Sequence, residues 1–400
     1  MRHPCGAPGA RGRVREALPD PVRHGSVKPL SIVHTESSLG WGGQEIRILA
    51  ESQGLMRRGH AVRILCPGEA RIAAEAAAWQ VPVVALPIAR KNLAGLRALA
   101  AWFRDNACDI VNTHSSTDSW LVALALRLAG RSHPVVRTRH ISAPVPRNAL
   151  SRWLYQSAAA MIVTTGDALR RQLIEVNGFD AARLVSVPTG VDAGRFRPGS
   201  RATARAALGL PADRVLVGIV ATLRSWKGHR HLLEALAQLP EAIELVIVGD
   251  GPMRETLHAQ IDQLGLRQRV HLPGNQADVV PWLHALDLFA LPSYANEGVP
   301  QALVQAMLCG LPCITTTVGS IAELATHDAT AVIVPPRDAR ALAAAIARLA
   351  GDEGLRRALG ESARRHCVEN FSYDRMLDRM EAVFAAAASA RATAGPEVPR

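Results

Sequence analysis

Short apolar runs separated by Ala- and Leu-rich stretches recur along the whole of this 400-residue chain, and that alternation limits its fold more than any motif does. In the first half the runs are "LSIVHT" (30–35), "AVRILC" (61–66), "VPVVALP" (81–87), "DIVNTH" (109–114), "PVVRTRH" (134–140), "AMIVTT" (160–165) and "LVSVPTG" (184–190). In the second they are "VLVGIVAT" (215–222), "IELVIVG" (243–249), "RVHLPG" (269–274), "LDLFALPS" (286–293), "LPCITTT" (311–317) and "AVIVPP" (331–336). Strands alternating with helices pack as a parallel sheet covered on both faces. The pattern runs twice, breaking near "VDAGRFRPGSRATA", and the length exceeds what one core serves well. The expected fold class is α/β, two doubly wound sheets facing a cleft. The expected boundaries are 29–191 and 213–370 for the two domains and 192–212 for a linker. Residues 371–388 read as a closing helix and 389–400 as a disordered tail. Residues 1–28, basic and without an apolar core segment, read as a disordered arm, with Val27 an alternative start.

No apolar run reaches the ~20 residues that span a bilayer, so no integral membrane segment is expected. The six cysteines (Cys5, Cys66, Cys108, Cys309, Cys313, Cys367) lack metal-ligand spacing and read as reduced thiols of a cytoplasmic protein. The net charge of +11 is unevenly placed. Residues 29–191 carry 18 basic against 11 acidic side chains, whereas residues 192–380 carry 20 of each. Part of that excess is compositional, because the chain uses arginine almost everywhere and has three lysines. Its confinement to one half points to an anionic partner there, an acidic acceptor or a membrane surface contacted peripherally. No nucleic-acid partner is expected.

Ligands of doubly wound sheets sit beyond the carboxyl ends of the strands, and the motifs fall there. "SSLGWGGQE" follows the first strand, and Gly42 and Gly43 let the backbone approach a ligand at a helix N-terminus. A plain tight turn satisfies the same glycines. "LRSWKGH" places Arg224 and Lys227 after the first strand of the second half, where two cations and a glycine suit a diphosphate. "VGDGPM" lacks the third glycine of a dinucleotide fingerprint and reads as a strand-to-helix turn. In "NEGVPQALVQAM" Pro300 suits the first helical position, Glu297 precedes it, and Gln305 leans toward the helix N-terminus. Solvated glutamines on an ordinary helix are the competing reading. His114 and His140 end two strands of the first half, where either a substrate contact or a structural role fits. "PRNALSRWLYQSA" is a candidate interfacial helix with Trp153 and Tyr155 at the boundary. No P-loop, H-E-x-x-H, D-x-D or G-x-S-x-G occurs, so no metal and no cofactor are expected.

In order, the glycine loop, "NTH", "RTRH", "VPTGVDAGRFRP", "LRSWKG", "LVIVGDGP", "LFALPS", "EGVPQALVQAM" and "GLPCITTTVGSIAEL" resemble the GT-B glycosyltransferases of family 4, the retaining, metal-independent group also called glycosyl transferases group 1. The likeness covers residues 29–385 and is most specific from Leu288 to Leu324. It implies two Rossmann-like domains, a nucleotide-sugar donor in the second, an acceptor in the first, and a last helix returning to the first. Arg224 and Lys227 would hold the donor diphosphate, Glu297 would lie against the transferred sugar, and Gly298, Val299 and Pro300 would complete the donor loop. Gly42 and Gly43 would approach across the cleft. His114 would sit by the sugar and acceptor, with His140 on the acceptor side. Two positions depart from the pattern. Gln305 replaces the second glutamate of the E-x7-E motif, at the donor ribose, and Thr189 replaces an asparagine. The implied activity is a hexosyltransferase-like transfer to an anionic glycan or lipid-linked acceptor in polysaccharide or lipopolysaccharide synthesis, on the inner face of the cytoplasmic membrane. A weakened sugar-nucleotide-binding protein, an epimerase or a phosphorylase of the same fold are the alternatives.

Overall fold

The computed structural model describes residues 28–141 and 143–394. Cys5, nearly all of the arm expected over 1–28, and residues 395–400 lie outside the described residues. Every expected apolar run contains a strand, the run 61–66 over its full length and the others over part of it. The first sheet comprises β1 (Ser31–Thr35), β2 (Ala61–Cys66), β3 (Val83–Ala85), β4 (Ile110–Thr113), β5 (Val135–Arg139), β6 (Met161–Thr164) and β7 (Leu184–Ser186). The second comprises β8 (Val215–Val220), β9 (Ile243–Val248), β10 (Val270–Gly274), β11 (Leu288–Leu291), β12 (Cys313–Thr315) and β13 (Val332–Ile333).

Both sheets are parallel, with orders β3-β2-β1-β4-β5-β6-β7 and β10-β9-β8-β11-β12-β13. Strand order reverses between β1 and β4 in one sheet and between β8 and β11 in the other. At such a switch point the two flanking loops part and leave a crevice. The loops after β1, β4, β8 and β11 carry Gly42, His114, Lys227 and Glu297, so topology gathers four widely separated sequence positions.

The segment 192–212, expected as a linker, holds the helix Arg201–Leu208, capped by Ser200 and ended by Gly209 in the left-handed region. Its Arg205 is buried against Asp287 at 2.6 Å and the Ala285 carbonyl at 2.8 Å, so the segment belongs to the second sheet's packing. The last helix, Tyr373–Ala394, runs past the expected end at 388 into what was read as a tail. It lies on the first sheet, where Met376, Met380, Val383 and Phe384 join Ile32, Ile110, Val136 and Val163 in one apolar cluster. Arg58 reaches Asp378 and Glu381, each at 2.7 Å, and ties that helix to the end of Gly43–Arg57. Thr189 is buried and accepts a bond from Arg47 Nη1 at 3.2 Å, so the residue that departs from the family turn is held by the Gly43–Arg57 helix.

The expected interfacial helix is corrected in part. Ala149–Gln156 is a helix, but Tyr155 is buried and stacks on Phe179 with ring centres 5.0 Å apart. Trp153 lies 5.6 Å from Trp120 and is half-buried, so the aromatic residues pack inward and Leu150 is left exposed. Among the described residues no helix is long and apolar enough to cross a membrane.

Candidate active site

Two helix N-termini open on the crevice. Gly43–Arg57 starts after Gly42, and Gln301–Leu308 starts after Pro300, which is extended and caps the helix instead of forming its first residue. Each leaves first-turn N–H groups without helical partners and so offers positive ends to an anion. A Cβ at Gly42 would lie 3.5 Å from Thr222 Oγ1, and one at Gly43 would lie 3.7 Å from Gln301 Oε1. The glycines thus keep open a narrow gap between the halves. Gln301 Oε1 is buried there without a hydrogen-bond partner among the described residues.

Lys227 follows β8 in a short 3-10 turn, and Glu297 follows β11. Lys227 Nζ donates to Glu297 Oε1 at 2.7 Å, and Ser293 Oγ donates to the same oxygen at 2.7 Å. Glu297 is 4% exposed, so Lys227 is its counter-charge in a site largely closed to water. Arg224, in the same loop as Lys227, is exposed, with its guanidinium 5.8 Å from the Trp226 ring centre. The turn at Gly249 and Gly251 packs on that loop: a Cβ at Gly249 would meet the Ala221 carbonyl at 2.1 Å. "VGDGPM" is therefore a strand-to-helix turn that supports the cation loop.

The halves touch beside Glu297. Val299 N donates to the Thr165 carbonyl at 3.2 Å, and Ala168 N, at the start of the Asp167–Glu175 helix, donates to Glu323 at 2.8 Å. A Cβ at Gly298 would fall 2.2 Å from Thr165 Oγ1 and 3.0 Å from the His140 carbonyl. Gln305 is 8% exposed on a helix whose Leu303, Val304, Ala306, Met307 and Leu308 are wholly buried. The helix is covered on nearly all sides.

On the first sheet three histidines form a chain. His34 Nδ1 meets His114 Nε2 at 2.8 Å, and His114 Nδ1 meets His140 Nε2 at 2.9 Å. Both ring nitrogens of His114 are engaged by protein, so in this arrangement it has none left for a substrate hydroxyl. Burial, then the Arg47 charge, pushes His34 down to about 3. His114 is held well below its usual value by burial and then by His34, His140 and Arg47, and His140 by burial and then by Arg47 and His34. The chain is neutral at pH 7. Beneath it Asp118 accepts from Thr35 Oγ1 at 2.7 Å and from His114 N at 2.9 Å. Glu36, wholly buried, accepts from Ser38 N at 2.8 Å, and burial followed by the Asp118 charge pushes it up to about 8.

Sequence reasoning overlooked His34, Glu36, Ser293 and the buried oxygen of Gln301. His34 also ends its strand, a signal of the kind that singled out His114 and His140. Nothing in the sequence separates Glu36 from an ordinary surface glutamate. Among the described residues no group of three or more His, Cys, Asp and Glu side chains could hold a metal ion.

Known proteins share this chain's sequence pattern and fold. The profile described as "Glycosyltransferase Family 4" matches residues 41–195, and the one described as "Glycosyl transferases group 1" matches residues 200–366. A D-inositol 3-phosphate glycosyltransferase of Xylanimonas cellulosilytica is 29% identical over 395 residues, which span 88% of this chain and 93% of the relative. The Mycobacterium tuberculosis protein of that name is 32% identical over 305 residues, 69% of this chain and 61% of the relative. Anabaena HepE in complex with UDP-glucose superposes with a TM-score of 0.81 at 23% identity, over 89% of this chain and all of that one. A Rickettsia africae glycosyltransferase gives 0.80 at 20%, over 90% of this chain and 99% of that one. With one profile on each sheet and the same fold in solved glycosyltransferases, the chain belongs to the GT-B glycosyltransferases of family 4.

Proposed function

We propose that this glycosyltransferase transfers a hexose from a nucleotide-sugar to an acceptor held by the first sheet, with retention of the anomeric configuration and without a metal ion. The Lys227–Glu297 pair carries the reading. It sets a cation for the donor diphosphate against a carboxylate for the transferred sugar, both at the switch point of the second sheet and next to a helix N-terminus.

Binding of the diphosphate draws Lys227 and Arg224 onto the phosphate oxygens, where they and the free N–H groups of the Gln301–Leu308 helix stabilise the negative charge that grows as the glycosidic bond lengthens. These cations take the part a divalent ion plays elsewhere. The leaving diphosphate accepts the acceptor proton on the same face, so no side-chain nucleophile is required. Glu297 hydrogen-bonds sugar hydroxyls, Gly42 and Gly43 leave room for the donor, Gly298, Val299 and Pro300 shape its loop, and Gln305 meets the ribose. His140, held by His114, borders the acceptor.

HepE, solved in complex with UDP-glucose, supports a nucleotide-hexose donor. Cell-surface polysaccharide or lipopolysaccharide synthesis at the inner face of the cytoplasmic membrane suits a surface on which Leu124, Leu128 and Leu150 are exposed near Arg127, Arg147 and Arg152. Flotation with anionic vesicles tests that contact.

Incubation with a panel of nucleotide sugars, with and without acceptors, tests the activity, and proton NMR of the anomeric centre reports the stereochemistry. Inverted product sinks the retaining mechanism. The amide at Gln305 favours one other reading, a sugar-nucleotide-binding protein without turnover, and donor binding with neither hydrolysis nor transfer would establish it.

A further inference from the structure

A cavity of about 510 Å³ lies in the first sheet's half, behind the histidine chain. Its walls include Lys91, His114, Trp120, Arg137, Arg139 and His140, and among the described residues no carboxylate lines it. Arg137 and Arg139 project from the same face of β5, because alternate residues of a strand share a face.

Both guanidinium groups are incompletely satisfied. Arg137 is 5% exposed, its guanidinium carbon sits 4.3 Å from the Tyr155 ring centre, and Nη1 has no hydrogen-bond partner among the described residues. Arg139 donates to the Tyr155 hydroxyl at 2.9 Å and to the Ala143 carbonyl, but its buried Nε has no partner. No ion pair among the described residues includes either arginine. Asp118 acts on Arg137 only from beyond contact distance. Arginine cannot shed its proton, so burying two without a carboxylate is costly unless a ligand supplies the counter-charge. Lys91, one of three lysines in the chain, adds a third cation at the exposed rim, 5.7 Å from the Trp120 ring centre.

We propose that this cavity binds the acceptor through an oxyanion, a phosphate or a carboxylate, gripped by Arg137 and Arg139 and closed over by Lys91. The word acceptor rests on the glycosyltransfer reading above, whereas the anion site rests on the cavity alone. A planar guanidinium fork matches either oxyanion in two-point contact. The site is separate from the donor cations, since neither Arg224 nor Lys227 lines the cavity. It is nevertheless continuous with the reaction end, because His140 forms its wall and presents its carbonyl to Thr165 Oγ1 at 3.1 Å, beside Gly298. The anion would then anchor one end of a polyol whose hydroxyl points past His140 toward Glu297.

Titration calorimetry of the full chain with inorganic phosphate, glucose 6-phosphate, glucuronate and glucose tests the proposal. Binding of phosphate-bearing ligands, of glucuronate, or of both is expected, without binding of glucose, and the stronger ligand identifies the oxyanion. Lys91→Gln, at an exposed position that folding does not depend on, is expected to weaken that binding about tenfold, and Arg137→Lys at least as much. The unfolding midpoint of Arg137→Lys shows whether that variant is folded, and Lys91→Gln decides if it is not. Failure of every anion to bind, equal binding of glucose, unchanged affinity in the folded variants, or displacement of the anion by UDP overturns the proposal. Nucleoside diphosphates are titrated separately. A chain that binds the anion but none of UDP, GDP and ADP would refute the glycosyltransfer reading and leave the anion site standing.

Discussion

Lys227 and Glu297 stand 70 residues apart in the chain and meet at 2.7 Å, each brought to the crevice by a strand of the second switch point. Lys227 Nζ and Ser293 Oγ share one oxygen of Glu297, which leaves the other for a ligand. Removing either cation of the loop is expected to lower turnover on the order of a hundredfold, the worth of one well-placed charge at a leaving group. Initial rates of Lys227→Ala and Arg224→Ala at saturating donor check this, and near-normal rates in both would refute the assignment.

Gly298 lies where the two halves pack closely against each other. Gly298→Ala is expected to cost about 1–3 kcal/mol or force the halves apart, because the new methyl would overlap Thr165 Oγ1. Adding Thr165→Ala removes the overlapping atom and should recover part of the unfolding midpoint and of the activity. No recovery in the double variant would mean that another contact sets the spacing.

Glu36 and His34 make stability depend on pH in opposite senses. Glu36 has its folded value raised to about 8, so its contribution is complete below the ordinary carboxylate range and is lost as pH rises toward 8. His34 has its folded value lowered to about 3, so its contribution is present above 6.5 and lost as pH falls toward 3. Glu36→Gln removes the first dependence. Its denaturant midpoint relative to the parent protein should therefore climb between pH 5 and 8, and a constant difference would show that Glu36 titrates normally.

Phe384 ties the last helix to the first sheet. It is wholly buried among Ile32, Ile110 and Val136 and meets His34 edge-on with ring centres 6.3 Å apart. Phe384→Ala is expected to destabilise the protein by about 3–5 kcal/mol, read from urea unfolding. A loss below about 1 kcal/mol would mean that the helix is dispensable to the first sheet.

Gln305→Glu should change donor affinity more than maximal rate, by about 1–2 kcal/mol, if position 305 meets the ribose. The new carboxylate would be buried, so its pKa should rise and the effect should fade at low pH. A large gain in kcat at saturating donor would contradict a role at the ribose end.

The strands and the two-fold repetition of the α/β pattern were legible because a strand buried on both faces has to be an uninterrupted apolar run. The cation loop and the "NEGVPQ" turn were legible because glycine, proline and charge at a strand end carry their own local geometry. The helix within 192–212 is not legible in the sequence, because Arg205 looks solvated until Asp287, 82 residues along the chain, is placed against it. Tyr155 was read as interfacial for the same reason, since only the packing of Phe179 shows which side of the helix is the core.

By itself, then, the sequence determined two parallel sheets, their switch-point loops and the residue types that face the crevice, because all of these follow from local periodicity and turn chemistry. The tertiary structure decided which of those residues meet. It closed Lys227 onto Glu297, used both nitrogens of His114 inside a three-histidine chain, and enclosed Arg137 and Arg139 in a cavity without a carboxylate. Pairing and desolvation depend on distances between chain segments far apart in sequence, and local pattern carries no information about those distances.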